Sequence, residues 1–359
     1  MLQKNTEKFH KIITRLAKSH SATREELLLL LKNRQELGQE QREFLFSEAR
    51  RNATRYYGNK IYLRGLIEIS SFCRNDCFYC GLRRSNGNAT RYRLSEEEIL
   101  TCVESGKRLG LQTFVLQGGE DSYWTVPRLA DIIRKIKKAS PTCAVTLSLG
   151  EMTRSDYAAL FEAGADRYLL RHEAASEGLY SKLHPKEMPL SRRLKALKDL
   201  ASIGYQVGSG FMVGRPFETI EDTADDLIFL KNLAPSMVGI GPFVPQADTP
   251  LGLHCPGTSD ETIFLLAVIR LLLPSVLLPA TTALITLDRD GYEKAVLAGA
   301  NVIMPSLTPQ TARQAYKIYD GKASAEDTVQ QIEIIGERLK RIGYEISLDR
   351  GDAKKTGEH

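Results

Sequence analysis

The sequence predicts an α/β fold of the (β/α)8, or TIM-barrel, type, with an N-terminal helical extension and further helices at the C-terminal end. Two observations predict it. Eight short apolar runs recur between residues 61 and 306, each followed by a segment of helical periodicity. None alternates cleanly between polar and apolar residues, as expected of parallel strands covered on both faces. Eight such units suit a closed barrel, and an open doubly wound sheet is the alternative reading of the same alternation.

Three helices are expected before the first strand. NTEKFHKIITRLA (5–17) and SATREELLLLLKNR (21–34) are periodic, and Ser21 ahead of Glu25 resembles a capping box. EQREFLFSEARRNATRYYG (40–58) is ended by Gly58. The first strand is IYLRGLIEI (61–69), followed by a cysteine-rich loop and by the helix SEEEILTCVESGKRLG (95–110), opened by Ser95 and closed by Gly110. Strands two to four are TFVLQGG (113–119), AVTLSLG (144–150) and RYLLRHE (167–173). Their helices are PRLADIIRKIKKA (127–139), RSDYAALFEAG (154–164) and a segment near 189–203. YQVGSGFMVG (205–214), SMVGIGPFVP (236–245), LLPATTA (277–283) and NVIMPS (301–306) complete the set. Between them run TIEDTADDLIFLKNL (219–233), SDETIFLLAVIRLLL (259–273) and RDGYEKAVLAG (289–299), and helices continue to about residue 342. The chain thus divides into a helical extension (1–58), a barrel (59–345) and a polar tail (346–359) expected to be disordered.

A net charge of +5 on 359 residues, with no Lys/Arg run, gives no reason to expect a nucleic-acid partner. The N-terminus MLQKNTEKFHKIITRL has no apolar signal core. The longest apolar stretch, TIFLLAVIRLLLPSVLLP (262–279), is broken by Arg270 and by prolines, so no membrane span is expected. A cytoplasmic protein follows. Three of the six cysteines crowd into one loop, which reads as a metal site in a reducing compartment, not as a disulfide framework.

That loop is CRNDCFYCGL, with Cys73, Cys77 and Cys80 just past the first strand. This is the face of a barrel where catalytic groups collect. Three thiolates hold three irons of a cubane and leave the fourth open to an outside ligand. Structural zinc wants a closed tetrahedron, and no fourth Cys or His stands nearby. A zinc-bound structural protein therefore needs a distant fourth ligand.

The x3, x2 spacing, with Tyr79 before the last cysteine, resembles that of the radical S-adenosylmethionine (radical SAM) enzymes. The resemblance implies one 4Fe–4S cluster, with SAM chelated on its open iron and cleaved to a 5′-deoxyadenosyl radical. Other strand ends fit. Gln117, Gly118, Gly119 and Glu120 in QGGED match the family's glycine-rich GGE segment, where glycines let backbone acceptors approach an ammonium. Thr146 and Ser148 offer hydroxyls after strand three, and Arg171, His172 and Glu173 follow strand four. Arg193 suits a bidentate bond to a carboxylate, and GIGPF suits backbone contacts to adenine around Ile240.

CRNDCFYCGLRRSN, RYRLSEEEI, VLQGGED, VTLSLGE, AGADRYLLRHE, MVGIGPFVPQADTPL, LLPATTA and AGANVIMPSLTP together resemble the HydE family of FeFe-hydrogenase maturases, over residues 60 to about 320. The positions this resemblance implies for SAM are Gln117, Thr146, Ser148, Glu173, Arg193 and Met212. For an inner substrate pocket they are Arg64, Arg167, Arg171, Thr281, Thr282, Met304, Tyr316 and Tyr319, with Arg171, Thr281, Thr282 and Tyr316 expected nearest the reaction. The implied substrate is a cysteine-bound iron carbonyl–cyanide unit supplied by the maturase HydG, with the product passed to the scaffold HydF. A low-potential donor such as ferredoxin or flavodoxin is implied as well. The arginines carry a physical argument of their own: a guanidinium inside a barrel needs an anion, either an acid such as Glu68 or a ligand.

Some maturases of this kind hold a second cluster on cysteines near the C-terminal end of the barrel. Here that segment, YDGKASAEDTVQQ, has none, which rules out a second cluster at that place. Cys102 and Cys143 read as structural, and Cys255 beside His254 reads as a surface loop with a metal role left open. The competing function is a methylornithine-synthase-like radical mutase acting on an amino acid.

Overall fold

The computed structural model describes residues 2–322 and 327–354. The chain opens with α1 (Leu2–Ser19), α2 (Arg24–Lys32) and α3 (Gln39–Tyr57). The capping box of α2 is Thr23 with Glu26, each taking the other's backbone N–H, and not the expected Ser21 with Glu25. The reciprocal bonds need a spacing of three, which only the Thr23 pair has. Gly58 ends α3 with φ +59°, where a Cβ is strained.

The first stave of the barrel is two strands, β1 (Lys60–Leu63) and β2 (Gly65–Ser70), broken at Arg64. There follow α4 (Glu96–Arg108), β3 (Thr113–Gly118), α5 (Val126–Ala139), β4 (Ala144–Ser148), α6 (Arg154–Glu162) and β5 (Arg167–Leu169). Next come α7 (Glu177–Leu183), which the sequence reading lacked, and α8 (Leu190–Ile203). The fifth and sixth staves also split, into β6 (Gln206–Ser209) with β7 (Met212–Val213), and β8 (Met237–Val238) with β9 (Gly241–Pro242), around α9 (Ile220–Leu233). The remainder is α10 (Ser259–Leu272), α11 (Thr282–Leu287), α12 (Gly291–Leu297), β10 (Val302–Ile303), α13 (Gln310–Ala315), α14 (Thr328–Arg341) and β11 (Glu345–Ser347).

All ladders are parallel: β2-β3-β4-β5-β6-β8, β7-β9 and β10-β1-β11. The expected seventh strand makes only bridges, Leu277 to Met237 and Pro279 to Val302, because its proline cannot donate to a ladder. With a third bridge, Leu66 to Ser306, parallel contacts run from stave to stave around all eight. The chain is a (β/α)8 barrel.

Helix α10 shows how the apolar runs are used. Every residue from Thr262 to Leu272 is buried, so the helix must be covered on all sides. Helices α3 and α12 pack against it. Its Arg270 spends its donors on the carbonyls of Gly299, Pro274 and Val276 and on Asn301 Oδ1. Truncating Leu266 to Ala here would cost about 2–5 kcal/mol. No helix among the described residues is long and apolar enough to cross a membrane.

The polar tail is a correction to the sequence reading. Over 346–354 it belongs to the fold: β11 pairs with β1, and Arg350 to Asp352 enter the base of the barrel. The expected boundary at 345/346 falls inside a strand. Residues 355–359 lie outside the described residues, as do 323–326 of the segment that lacks cysteines.

Candidate active site at the C-terminal mouth of the barrel

Cys73, Cys77 and Cys80 lie half-buried on the loop after β2. Neighbouring segments hold the loop at several points. Arg74 N–H donates to Glu120 O at 2.9 Å, and its guanidinium reaches the Glu120 carboxylate at 3.1 Å. Phe78 N–H donates to Leu183 O, Leu251 N–H donates to Phe78 O, and Gly81 N–H donates to Ile318 O. Gly119 is where the GGE segment touches this loop: a Cβ there would lie 2.2 Å from Phe72 O and 2.7 Å from Cys73 Cβ. Burial pushes the thiols up, Cys77 well above its ordinary value and Cys80 to about 12.

Cys80 lines a cavity of about 320 Å³ at the C-terminal ends of the staves. Gln117, Gly118, Ser148, Glu173, Arg193 and Met212 line it too. So do Arg171, Thr281, Thr282, Met304, Tyr316 and Tyr319. With Gly239 and Pro242 of the sixth stave, residues drawn from all eight staves thus share one chamber. Gln117 Nε2 donates to Tyr316 OH at 3.3 Å, linking the two sets.

Glu173 sits at φ +62°, a left-handed conformation that costs about 1–3 kcal/mol for a residue with a side chain. Its Oε2 is buried and has no hydrogen-bond partner among the described residues, and Arg171 stands 3.9 Å from Oε1, beyond hydrogen-bond reach. Arg193 is held by Glu151, with Nε 2.6 Å from Oε1, and by the carbonyl of Arg171 at 3.0 Å. Burial opposes its charge, but the bonded Glu151 carboxylate counters that and the guanidinium stays charged.

Four positions expected at the cofactor do not line the cavity. Gly119 packs beneath the cysteine loop. Glu120 is a brace: its carboxylate accepts from Arg74 and from Glu151 N–H. Thr146 is buried on β4 with its hydroxyl unpartnered, and Ile240 is buried in the main core while its neighbour Gly239 reaches the chamber.

The inner arginines divide. Arg171 lines the chamber, its Nε donating to Gly239 O at 3.0 Å. Arg64 and Arg167 do not, which corrects their placement in a substrate pocket. Strand alternation puts Arg64 on the same face as Leu66 and Glu68, and Arg167 on the face of Leu169 and Arg171. They stand two residues lower, in a layer that the tail fills. Arg167 bonds Arg350 O, Gly351 O and Asp352, and Arg64 bonds Met237 Sδ and Gly351 O. Nor does Glu68 pair with either; its partner is Lys322.

Two chamber features escaped the sequence reading. Lys322 pairs with Glu68 and lies 4.5 Å from the Tyr316 ring. Tyr79 OH meets His184 Nε2 at 3.2 Å, while His184 Nδ1 faces Tyr180 O at 3.1 Å. The carbonyl makes Nδ1 the protonated nitrogen, so Tyr79 donates to Nε2. Burial, then Arg193, lowers His184 to about 3, which keeps the ring neutral. HPKEMP after α7 carried no periodicity that would have placed His184 here.

The radical SAM superfamily profile matches residues 67–230. The [FeFe] hydrogenase maturase subunit HydE of Thermotoga maritima is 44% identical over 317 residues, 88% of this chain and 90% of that protein. The chain belongs to the HydE family of radical SAM enzymes. More distant is the 3-methylornithine synthase of Methanosarcina acetivorans, 28% identical over 89% of this chain and 88% of that one. The crystal structure of methylornithine synthase (PylB) superposes with a TM-score of 0.80 at 26% identity, over 94% of this chain and 97% of that one. The maturase HydG shares the fold, with a TM-score of 0.79 at 22% identity, over 97% of this chain and 78% of that one.

A HydE-family enzyme implies a 4Fe–4S cluster and SAM, and the residues present fit both. Three thiols share one loop, and Gly119 keeps its floor clear of a Cβ. The unpartnered Glu173 Oε2 offers an acceptor beside Cys80. Among the described residues no group of three His, Cys, Asp or Glu is placed to hold one metal ion. Thiolates that each take a different iron do not need to converge so. Bound iron also reverses the upward push on the thiols, since coordination deprotonates them.

Proposed function

We propose that this HydE-family enzyme acts in maturation of the FeFe-hydrogenase active-site cluster (H-cluster), on a cysteine-bound iron carbonyl–cyanide unit. Cys73, Cys77 and Cys80 would hold the 4Fe–4S cluster, and Gln117, Ser148, Glu173, Arg193 and Met212 would hold SAM. When bound, the two supply a 5′-deoxyadenosyl radical. The protein binds, aims and excludes water. Arg171 offers its unspent donors to the substrate carboxylate, where a planar fork gives two parallel bonds. Thr281, Thr282 and Tyr316 supply hydroxyls around it, and Tyr319 orients Thr282 through a 2.8 Å bond between their oxygens. Met304 closes the inner wall.

The observation that carries this reading is Arg171: a guanidinium with no carboxylate in hydrogen-bond reach among the described residues, in the same chamber as Cys80. HydG would supply the substrate and HydF receive the product, with a ferredoxin or flavodoxin as reductant. The test is direct. Anaerobically reconstituted protein is given SAM, a reductant and a synthetic cysteine-bound iron carbonyl–cyanide complex. Consumption of that complex together with SAM is expected. The likeness to methylornithine synthase over nearly the whole barrel favours a second reading, a mutase, which would instead consume lysine with SAM.

A further inference from the structure

We infer that Asp226 and Arg215 are positioning residues for SAM, which act by holding Glu173 in the one backbone conformation that aims its carboxylate into the chamber. The inference rests on the cofactor reading above.

Ala174 N–H donates to His172 O at 2.8 Å, across Glu173 at φ +62°. A three-residue turn with positive φ at its centre is rare and strained. It persists only where the surroundings over-determine it. Here they do. Asp226 on α9 uses Oδ1 twice, accepting from Ala175 N–H at 2.7 Å and lying 3.2 Å from His172 Nε2. Its Oδ2 takes Arg215 Nη2 at 2.6 Å. Arg215 in turn donates from Nη1 to the carbonyl of Glu173 itself. Both flanks of the turn and its centre are thus tied to one carboxylate–guanidinium pair. Ser209 Oγ fixes the far side of His172 at 3.0 Å, and Gly210 O takes Glu173 N–H at 3.1 Å.

None of Arg215, Asp226 or His172 lines the chamber, and His172 and Asp226 are wholly buried. Ser209, His172 and Asp226 have the composition of a nucleophilic triad, but no substrate reaches them. What the network delivers to the chamber is Glu173 Oε2, buried and unpartnered. Burial raises the Asp226 carboxyl, and Arg215 and His172 outweigh it, so it stays charged as the ties require.

The experiment measures the SAM dissociation constant of anaerobically reconstituted protein for Asp226→Asn, Glu173→Gln and the double variant. Asparagine keeps the shape and the acceptor for Ala175, and Glu218, 2.9 Å from Arg215 Nε, still neutralises Arg215. Each single substitution is expected to weaken SAM by about tenfold or more, the loss attached to one charge-assisted hydrogen bond. Iron content should be unchanged, and saturating SAM should restore most of the rate of 5′-deoxyadenosine release. The double variant should bind SAM no worse than Glu173→Gln, because both changes remove one interaction. Should Asp226→Asn fail to hold its cluster, Arg215→Lys, which keeps the charge and loses the fork, takes its place in the cycle. Native SAM affinity in the Asp226 variant, or penalties that multiply in the double variant, overturns the positioning role. Native affinity in Glu173→Gln overturns the cofactor assignment of Glu173, and the positioning role with it.

Discussion

Arg167 Nη2 lies 2.7 Å from Asp352 Oδ1, and this pair locks the end of the chain into the base of the barrel. Arg167 is fully buried there, so its charge depends on the tail. Asp352→Ala should lower unfolding free energy by about 3 kcal/mol, the low end for breaking a buried pair, since Asp352 itself is 40% exposed. SAM cleavage should survive in the folded fraction, because the pair is remote from the cysteine loop. Urea unfolding of both proteins measures it; equal midpoints would mean that the tail adds nothing to the barrel.

Replacing Cys73, Cys77 or Cys80 with Ala removes a thiolate that no neighbour supplies. Each variant should lose the 4Fe–4S absorption and 5′-deoxyadenosine release. A Cys102→Ala, Cys143→Ala, Cys255→Ala triple variant should keep both. Full iron in all three single variants would place the cluster elsewhere.

Arg171→Met keeps much of the side-chain volume and removes the charge. Hydrogenase maturation should drop more than tenfold, on the order of 1.5–3 kcal/mol, while SAM affinity holds. Arg171→Lys should rescue only partly, since an ammonium lacks the planar fork. Loss of SAM affinity instead would move Arg171 into the cofactor layer.

How far the sequence could carry this is clear from particular residues. The cysteine spacing and QGGED were legible because they are local: their chemistry lies in one loop and one strand end. Arg171 was legible from the family resemblance and from the need of a guanidinium inside a barrel for an anion. That need says nothing of height along the barrel, so the same argument sets Arg64 and Arg167 in the wrong layer. What fills their layer is a tail almost two hundred residues or more away in sequence, whose polarity reads as disorder. The seventh strand is expected from apolar composition, which takes no account of a proline's missing donor, and it makes only bridges. His184 and Lys322 sit on loops with no periodicity, and only tertiary packing brings them to Tyr79 and Glu68.

His184 gives a pH dependence. Its ordinary value is near 6.5 and its folded value about 3. Above pH 6.5 neither state binds the proton. Between 6.5 and 3 the unfolded chain takes it and the folded one does not, so acid destabilises the fold; below 3 both carry it. From pH 6.5 to 5 this single group should remove about 1.5 kcal/mol. His184→Gln keeps an acceptor for Tyr79 and should lose less stability over that interval. Parallel losses in the two proteins, read by urea unfolding at both pH values, would contradict a neutral His184.

The central claim is a maturase that works through one cluster and one SAM. Its most direct test is a cell-free hydrogenase maturation mixture that lacks its own HydE and contains HydG and HydF. Reconstituted protein with about four irons per chain should restore hydrogen evolution, and the Cys80→Ala protein should not. A reconstituted protein that cleaves SAM with lysine and leaves the hydrogenase inactive would contradict the account.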